Sequence, residues 1–355
     1  MKVHTMQTSY QPGKLPPEHL GRLFARYGVS DERVVVGPGI GYDAAVISFG
    51  DRYLVAKTDP ITFASDEIGW YAVHINANDV ACTGASARWF LVTLLIPECE
   101  ENAGLVDDIF AQIAAACAEL NVGLVGGHTE ITCGIDRPIV VGCMMGEVTP
   151  ERLVRPDGAR PGDILLVTKG IAVEGSAIIA RELGYRLDGV DKSLVARCRN
   201  FLYEPGISVV RDAAIAVEAG EVHAMHDPTE GGLATGLWEL AGAAQVGLEV
   251  DESAIPILPE TRVLSARLGL DPLGLIASGA LLLAVAPTDA PAICRALESA
   301  GIAVTAIGRV VEREKGMTLA CTGIRRPLPR FERDEIVAAL TQAAQSTAAL
   351  QTSEV

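Results

Sequence analysis

At 355 residues the chain is long for one domain and comfortable for two, and its 49% hydrophobic but 5% aromatic composition, with 36 glycines, suits an α/β or α+β enzyme better than an all-β binding module. Lys and Arg total 29 against 45 Asp and Glu, and a formal net charge of -16 repels nucleic acid and anionic membrane over most of the surface. Neither is expected as a partner, and a phosphate ligand needs local help from carboxylate-held Mg²⁺ or helix N-termini.

The first residues contain no apolar leader core, and no long uncharged apolar run occurs in the chain. The 8 cysteines are scattered without a CxxC pair, as expected of buried free thiols in a reducing cytoplasm. Residues 1–36 read as an arm with a short amphipathic segment at 18–27. A first domain is expected over 37–154, with strands at 44–49 and 53–56, a helix at 66–84, a helix at 103–120, and strands at 122–125 and 138–145. The charged, Pro/Gly-rich stretch 152–163 marks the boundary. A second domain over 155–330 is expected to open with a strand at 164–168 and a helix at 174–183. A helix at 207–219, a short strand before Asp227 and a helix at 233–244 follow, and the alternation continues to about residue 311. The tail, 331–355, holds one helical stretch at 334–345.

Acids and glycines gather near strand ends, where α/β folds assemble ligand sites. They occur in Gly37-Pro38-Gly39-Ile40-Gly41-Tyr42-Asp43, in Lys57-Thr58-Asp59 and in Gly126-Gly127-His128-Thr129-Glu130. In the 66–84 helix, Ile68, Ala72, Ile75, Asp79 and Cys82 share one stripe, on which Asp79 is the only charge. A buried carboxylate needs a partner or a cation, and a helix C-terminus is electrostatically the wrong end for an anion. Gly39, Gly41, Gly126 and Gly127 leave amides open to a phosphate, although the spacing matches neither a Walker loop nor a Rossmann fingerprint. In His226-Asp227-Pro228-Thr229-Glu230-Gly231-Gly232, Thr229 is a plausible helix N-cap and the glycines permit close packing. His223 and His226 leave a zinc pair open, but oxygen ligands with one imidazole favour Mg²⁺ or Mn²⁺.

Taken in order, GIGYDAAVI, AKTD, INANDVACTGA, LVGGHTE, ARPGD and HDPTEGGLATGLWELA resemble the AIR synthase (PurM-type) superfamily over residues 37 to 311, nearest its hydrogenase-maturation HypE group. That resemblance implies a two-domain PurM-like α/β (α+β) fold: an N-terminal domain forming a dimeric β-barrel, and a C-terminal α/β sandwich. It implies ATP in a cleft at the homodimer interface with Mg²⁺ on acidic residues. Carried over by position, Asp43, Asp59, Asp79, His128 and Asp227 are metal ligands, and the four aspartates are also the catalytic acids. Gly39, Gly41, Thr58, Asn78, Gly126, Gly127, His128, Thr129, Lys169, Gly231 and Gly232 contact nucleotide or phosphate. The activity implied is ATP-dependent phosphorylation or activation of an oxygen on a small amide or carbonyl compound, beside Lys169 and Glu174. The alternatives are a thiamine-monophosphate kinase-like phosphotransferase, and a nucleotide-binding maturation scaffold with a partner protein and no chemistry of its own. The chain departs from HypE in ending Gln351-Thr352-Ser353-Glu354-Val355 without a cysteine, and in carrying Glu230 where that group has a basic residue.

Overall fold

Runs containing β-branched valine or isoleucine make strands of β1 (Val34–Val36), β2 (Ala45–Phe49), β3 (Arg52–Ile61) and β6 (Ile139–Val148), and along β6 every second residue is buried. With β4 (Ser86–Pro97) and β5 (Gly123–Thr132) they form a six-stranded sheet in the order β1-β2-β3-β6-β4-β5. This is a computed structural model that describes residue 10 and residues 13–184, 187, 189–321 and 323–341. The arm carries α1 (Pro17–Tyr27).

Helices α2 (Ile68–Ala81) and α3 (Asn102–Leu120) pack together, with α2 against the sheet. All of α2 except Trp70 is buried, so Asp79 lies within a helix covered on every side rather than on one apolar stripe. The covering comes partly from the second half of the chain. Asn78 donates Nδ2 to the Ile207 carbonyl at 2.8 Å and accepts the Val209 amide at 2.8 Å. Its amide is thus committed to the protein backbone and positions the neighbouring Asp79 rather than facing a nucleotide. Asn78→Ala leaves two buried backbone groups without partners and is expected to cost about 2 to 4 kcal/mol, read from the urea midpoint.

The second sheet takes its strands from β7 (Ile164–Thr168), β8 (Val222–His226), β9 (Gly247–Asp251), β10 (Leu282–Val285), β11 (Val304–Val311), β12 (Met317–Cys321) and β13 (Ile324–Pro327). Their order is β13-β12-β9-β11-β7-β10-β8. Helices α4 (Val173–Glu182), α5 (Lys192–Asn200), α6 (Val210–Ala219), α7 (Gly232–Ala244), α8 (Pro259–Leu268) and α9 (Ala290–Ser299) accompany it. The result is a mixed α/β chain with two sheets. The tail is helical over 335–341, and the rest of the expected stretch to 345 lies outside the described residues.

Three expectations change. Strand β4 has no counterpart in the sequence reading. Strand β3 continues through Lys57, Thr58 and Asp59, because each pairs with β6 (Asp59 opposite Gly142), so Asp59 sits inside a strand rather than in a loop. Likewise Gly126, Gly127, His128 and Thr129 lie within β5, paired in parallel with β4.

Candidate metal and phosphate site

Asp43 precedes β2, Asp79 ends α2 and Asp227 follows β8, and the fold brings these three together: one carboxylate oxygen of each lies within 4.8 Å of the others. Lys57 on β3 counters them, its Nζ standing 3.2 Å from Asp79 Oδ2 and 3.4 Å from Asp59 Oδ2. Asp59 therefore joins the cluster at its rim, through Lys57. Its backbone is held by Asn76, whose Oδ1 accepts the Asp59 amide at 2.9 Å while Nδ2 donates to the Asp59 carbonyl at 3.3 Å. Thr58 donates its hydroxyl to the Gly142 carbonyl at 2.8 Å, which fixes the strand beside it.

His226 is the residue whose role the sequence concealed. Its Nδ1 lies 2.7 Å from Asp43 Oδ2 and its Nε2 2.9 Å from Glu239 Oε2, so an imidazole from the second sheet ties down an acid of the first domain. Burial opposes its protonation, but Asp43 and Glu239 outweigh that and raise its pKa well above the ordinary histidine value. The zinc pair is ruled out by geometry: His223 points to Asp163, at 2.8 Å from its Nδ1, while His226 is engaged with Asp43 and Glu239.

The remaining acids are less well satisfied. Burial first, then Asp43, pushes Asp227 up to about 7, with His226 and Lys57 opposing. Its Oδ2 has no hydrogen-bond partner among the described residues. Burial also drives Asp79 well above the usual carboxylate range despite Lys57, with Asp227 and Asp59 adding to the shift. Asp43 moves the other way: burial would raise it, but His226 and Lys57 hold it low. Buried carboxylates in mutual contact, one with an unpaired oxygen, are the donor set that a hard divalent cation satisfies. The residues present fit such an ion.

Other expected contacts fall elsewhere. His128 is exposed, 3.1 Å from Glu130, and lies three strands from β3 along the row Pro60-Val141-Thr93-His128, roughly 14 Å at ordinary strand spacing. It does not reach the cluster of its own chain, and Gly126, Gly127 and Thr129 share that edge strand. Lys169 is buried: its Nζ donates to the Ser208 carbonyl at 2.5 Å and lies 3.3 Å from Asp212, so it is consumed internally rather than offered to an acceptor. Burial raises Glu174 to about 7, and it accepts the Ser278 amide at 3.2 Å.

Gly41 and Gly232 serve close packing. A side chain at Gly41 would stand 2.6 Å from the Glu239 carbonyl, and one at Gly232 2.5 Å from that of Leu273. Gly39 lines a groove of about 340 Å³ together with Leu20, Phe24 and Ile40. Thr229 is not the N-cap of α7. That position is Gly231, whose amide is instead taken by the Asp334 carboxylate at 2.6 Å. Of the residues missed, Lys57 was legible, since alternation puts it on one face of β3 with Asp59. Asn76 and Glu239 carried no signal in sequence.

Residues 41–148 match the N-terminal domain, and 160–319 the C-terminal domain, of the AIR synthase related proteins. The chain is 30% identical over 314 residues to a putative hydrogenase expression/formation protein of Methanocaldococcus jannaschii, across 83% of this chain and 90% of that one. It is 31% identical over 287 residues to carbamoyl dehydratase HypE of Rhizobium leguminosarum bv. viciae, across 76% and 77% respectively. Among solved structures, hydrogenase maturation protein HypE in complex with ATP superposes with a TM-score of 0.68 at 25% identity, covering 89% of this chain and 96% of that one. A HypE–HypF complex shares the fold, with a TM-score of 0.73 at 22% identity over 88% and 99%. With matches to both domains and relatives at this identity along most of their length, the chain belongs to the AIR synthase-related family, on its HypE-like side.

Proposed function

We propose that the protein is an ATP- and Mg²⁺-dependent enzyme that phosphorylates the oxygen of a small carbamoyl or amide-like group, acting as a homodimer. The observation that carries this reading is the convergence of Asp43, Asp79 and Asp227 where the two halves of the chain meet, with Asp227 Oδ2 unpaired among the described residues. A relative of similar length is named a carbamoyl dehydratase, and a HypE structure of the same fold holds ATP. The organisation we propose is an arm (1–33), a nucleotide- and metal-binding domain (34–154) that takes in β1, which pairs with β2 and so moves the boundary back from the expected residue 37, a second domain supplying His226, Asp227 and Glu239 (155–330), and a tail (331–355).

A divalent cation bound by the three aspartates would neutralise the phosphate charge that otherwise meets a field of carboxylates. His226 holds Asp43 in place and lowers the charge of the acid pair. Lys57 does the same for Asp79 and Asp59. The acceptor oxygen forms the new P–O bond as the bond to the bridging oxygen of ATP breaks and ADP leaves, a reaction that asks mainly for positioning and charge stabilisation.

The homodimer rests on β5. It closes one edge of the first sheet and exposes Leu124, Val125 and Ile131, with Trp89 exposed on the neighbouring β4. An apolar edge strand of this kind calls for a partner strand. Pairing of two β5 edges would complete a barrel and bring Gly126, Gly127, His128 and Thr129 of each copy to the shared interface.

Isothermal titration with ATP, with and without Mg²⁺, followed by an ADP-release assay with carbamoyl and amide acceptors, tests the reading. Mg²⁺-dependent binding and acceptor-stimulated ADP release are expected, and stimulation by thiamine monophosphate instead would favour the kinase alternative. No binding at millimolar ATP would overturn the proposal.

A further inference from the structure

The arm does not end short of the acid cluster. The Lys14 backbone amide donates to Glu230 Oε1 at 3.2 Å, its Nζ donates to Thr229 Oγ1 at 3.3 Å, and Nζ lies 4.0 Å from Glu239 Oε1. Glu239 is the acid that also holds His226, and Thr229 and Glu230 follow directly on Asp227. The arm thus places a cation at the rim of the candidate metal site.

The cations of the site differ in what they have left to give. The side chain of Lys57 is 16% exposed and that of His226 5%, and each is engaged by two carboxylates. Lys14 is 54% exposed, and among the described residues its ammonium has only long contacts, to a hydroxyl and a carboxylate. Such solvent-facing pairs are weak and easily exchanged, whereas a lysine ammonium on a phosphoryl oxygen makes a charge-assisted hydrogen bond. The lysine stem is long and flexible enough to swing between the two without moving its backbone. That backbone is anchored separately, through the amide accepted by Glu230.

We propose that Lys14 is a substrate-binding residue: its ammonium leaves Thr229 and Glu239 to bind a phosphoryl oxygen of the nucleotide polyphosphate, while Glu230 holds the arm so that it stays within reach. This rests on the nucleotide reading above. It gives the acid at position 230 a task, as the anchor of a cation supplied from the arm. A polyphosphate entering a cluster rich in aspartates then meets a positive charge from the chain as well as the bound metal.

The test uses the full-length protein and titrates ATP, inorganic tripolyphosphate and adenosine in the presence of Mg²⁺ against wild type, Lys14→Met, Lys14→Arg and Glu230→Gln. Lys14→Met is expected to weaken ATP and tripolyphosphate alike by about tenfold to a hundredfold and leave adenosine unchanged, with Lys14→Arg recovering most of the loss. Glu230→Gln is expected to weaken tripolyphosphate less than Lys14→Met does and to speed proteolytic cleavage of the arm. Equal tripolyphosphate affinity in wild type and Lys14→Met overturns the role of Lys14 while sparing the nucleotide reading. A parallel loss for adenosine, with a lowered unfolding temperature and no rescue by Arg, reduces Lys14 to a structural tether. Absence of ATP and tripolyphosphate binding to the wild type overturns the nucleotide reading and the Lys14 proposal together.

Discussion

Asp227→Asn is expected to unfold at a higher temperature than the wild type in metal-free buffer at pH 8, and to lose the stabilisation that Mg²⁺ gives the wild type. Burial and Asp43 hold the Asp227 carboxyl at about 7 in the folded chain, against an unfolded value of about 4. As pH rises from 4, the unfolded chain releases this proton while the folded chain keeps it, so stability falls across the window and levels off above 7. The amide has no proton to release. Its advantage is therefore absent near pH 4, grows up to pH 7 and then stays constant, on the order of a few kcal/mol. With Mg²⁺ at the proposed metal site the order is expected to reverse, because a cation that binds the folded state stabilises it in proportion to its affinity, and the variant lacks one of the proposed ligands. Scanning calorimetry from pH 4.5 to 8.5, with EDTA and with Mg²⁺, reads both effects. A variant less stable than the wild type at every pH in EDTA would show that the carboxylate is a structural partner rather than a waiting ligand.

The second large effect is expected at Gly127. Its φ of +148° is unfavourable for any side chain, and a Cβ there would lie 1.8 Å from the Val92 carbonyl oxygen of the strand with which it pairs. No rotamer relieves a clash with backbone, so Gly127→Ala must break the β4–β5 pairing or the strand conformation. A loss above about 4 kcal/mol, seen as insolubility or a collapsed urea midpoint, is expected. Gly126→Ala is the control: its φ is +153° but nothing lies within 4 Å, so only backbone strain of about 1 to 3 kcal/mol applies. Similar midpoints for the two variants would show that β5 accommodates a side chain at Gly127 by moving off β4.

Much of the architecture was legible because it is written in local pattern. The 3.6-residue periodicity of 66–84 located α2 and marked Asp79 as a charge in an apolar setting, and the Pro/Gly-rich stretch 152–163 falls between the strands of the first sheet and those of the second. Strand β4 escaped because its core, Phe90 to Pro97, is apolar except for Thr93 and shows no strict alternation, so only packing decides which of those residues are covered. Asp59 and His128 read in the sequence as lying just past the ends of strands at 53–56 and 122–125, because their neighbours are polar or glycine, whereas pairing with β6 and β4 carries the strands through them. Strand propensity is weak beside the ladder that a partner strand supplies.

The sequence by itself singled out three of the acids that the fold brings together: Asp43, Asp79 and Asp227 can be named from short motifs, because burying an acid is costly and glycines beside it leave the backbone open. Only the tertiary structure decided how they are used. His226 and Asp43 are 183 residues apart, and Lys14 and Glu230 are 216 apart, so neither pairing has a local signature. Asp59 was set at the rim by a strand pairing, His128 was carried to the far edge of the sheet, and Lys169 was turned inward to Asp212. The physical reason is that electrostatic and hydrogen-bond energies depend on distances of a few ångströms in space, which the chain sets only when two sheets and the helix between them close on one another.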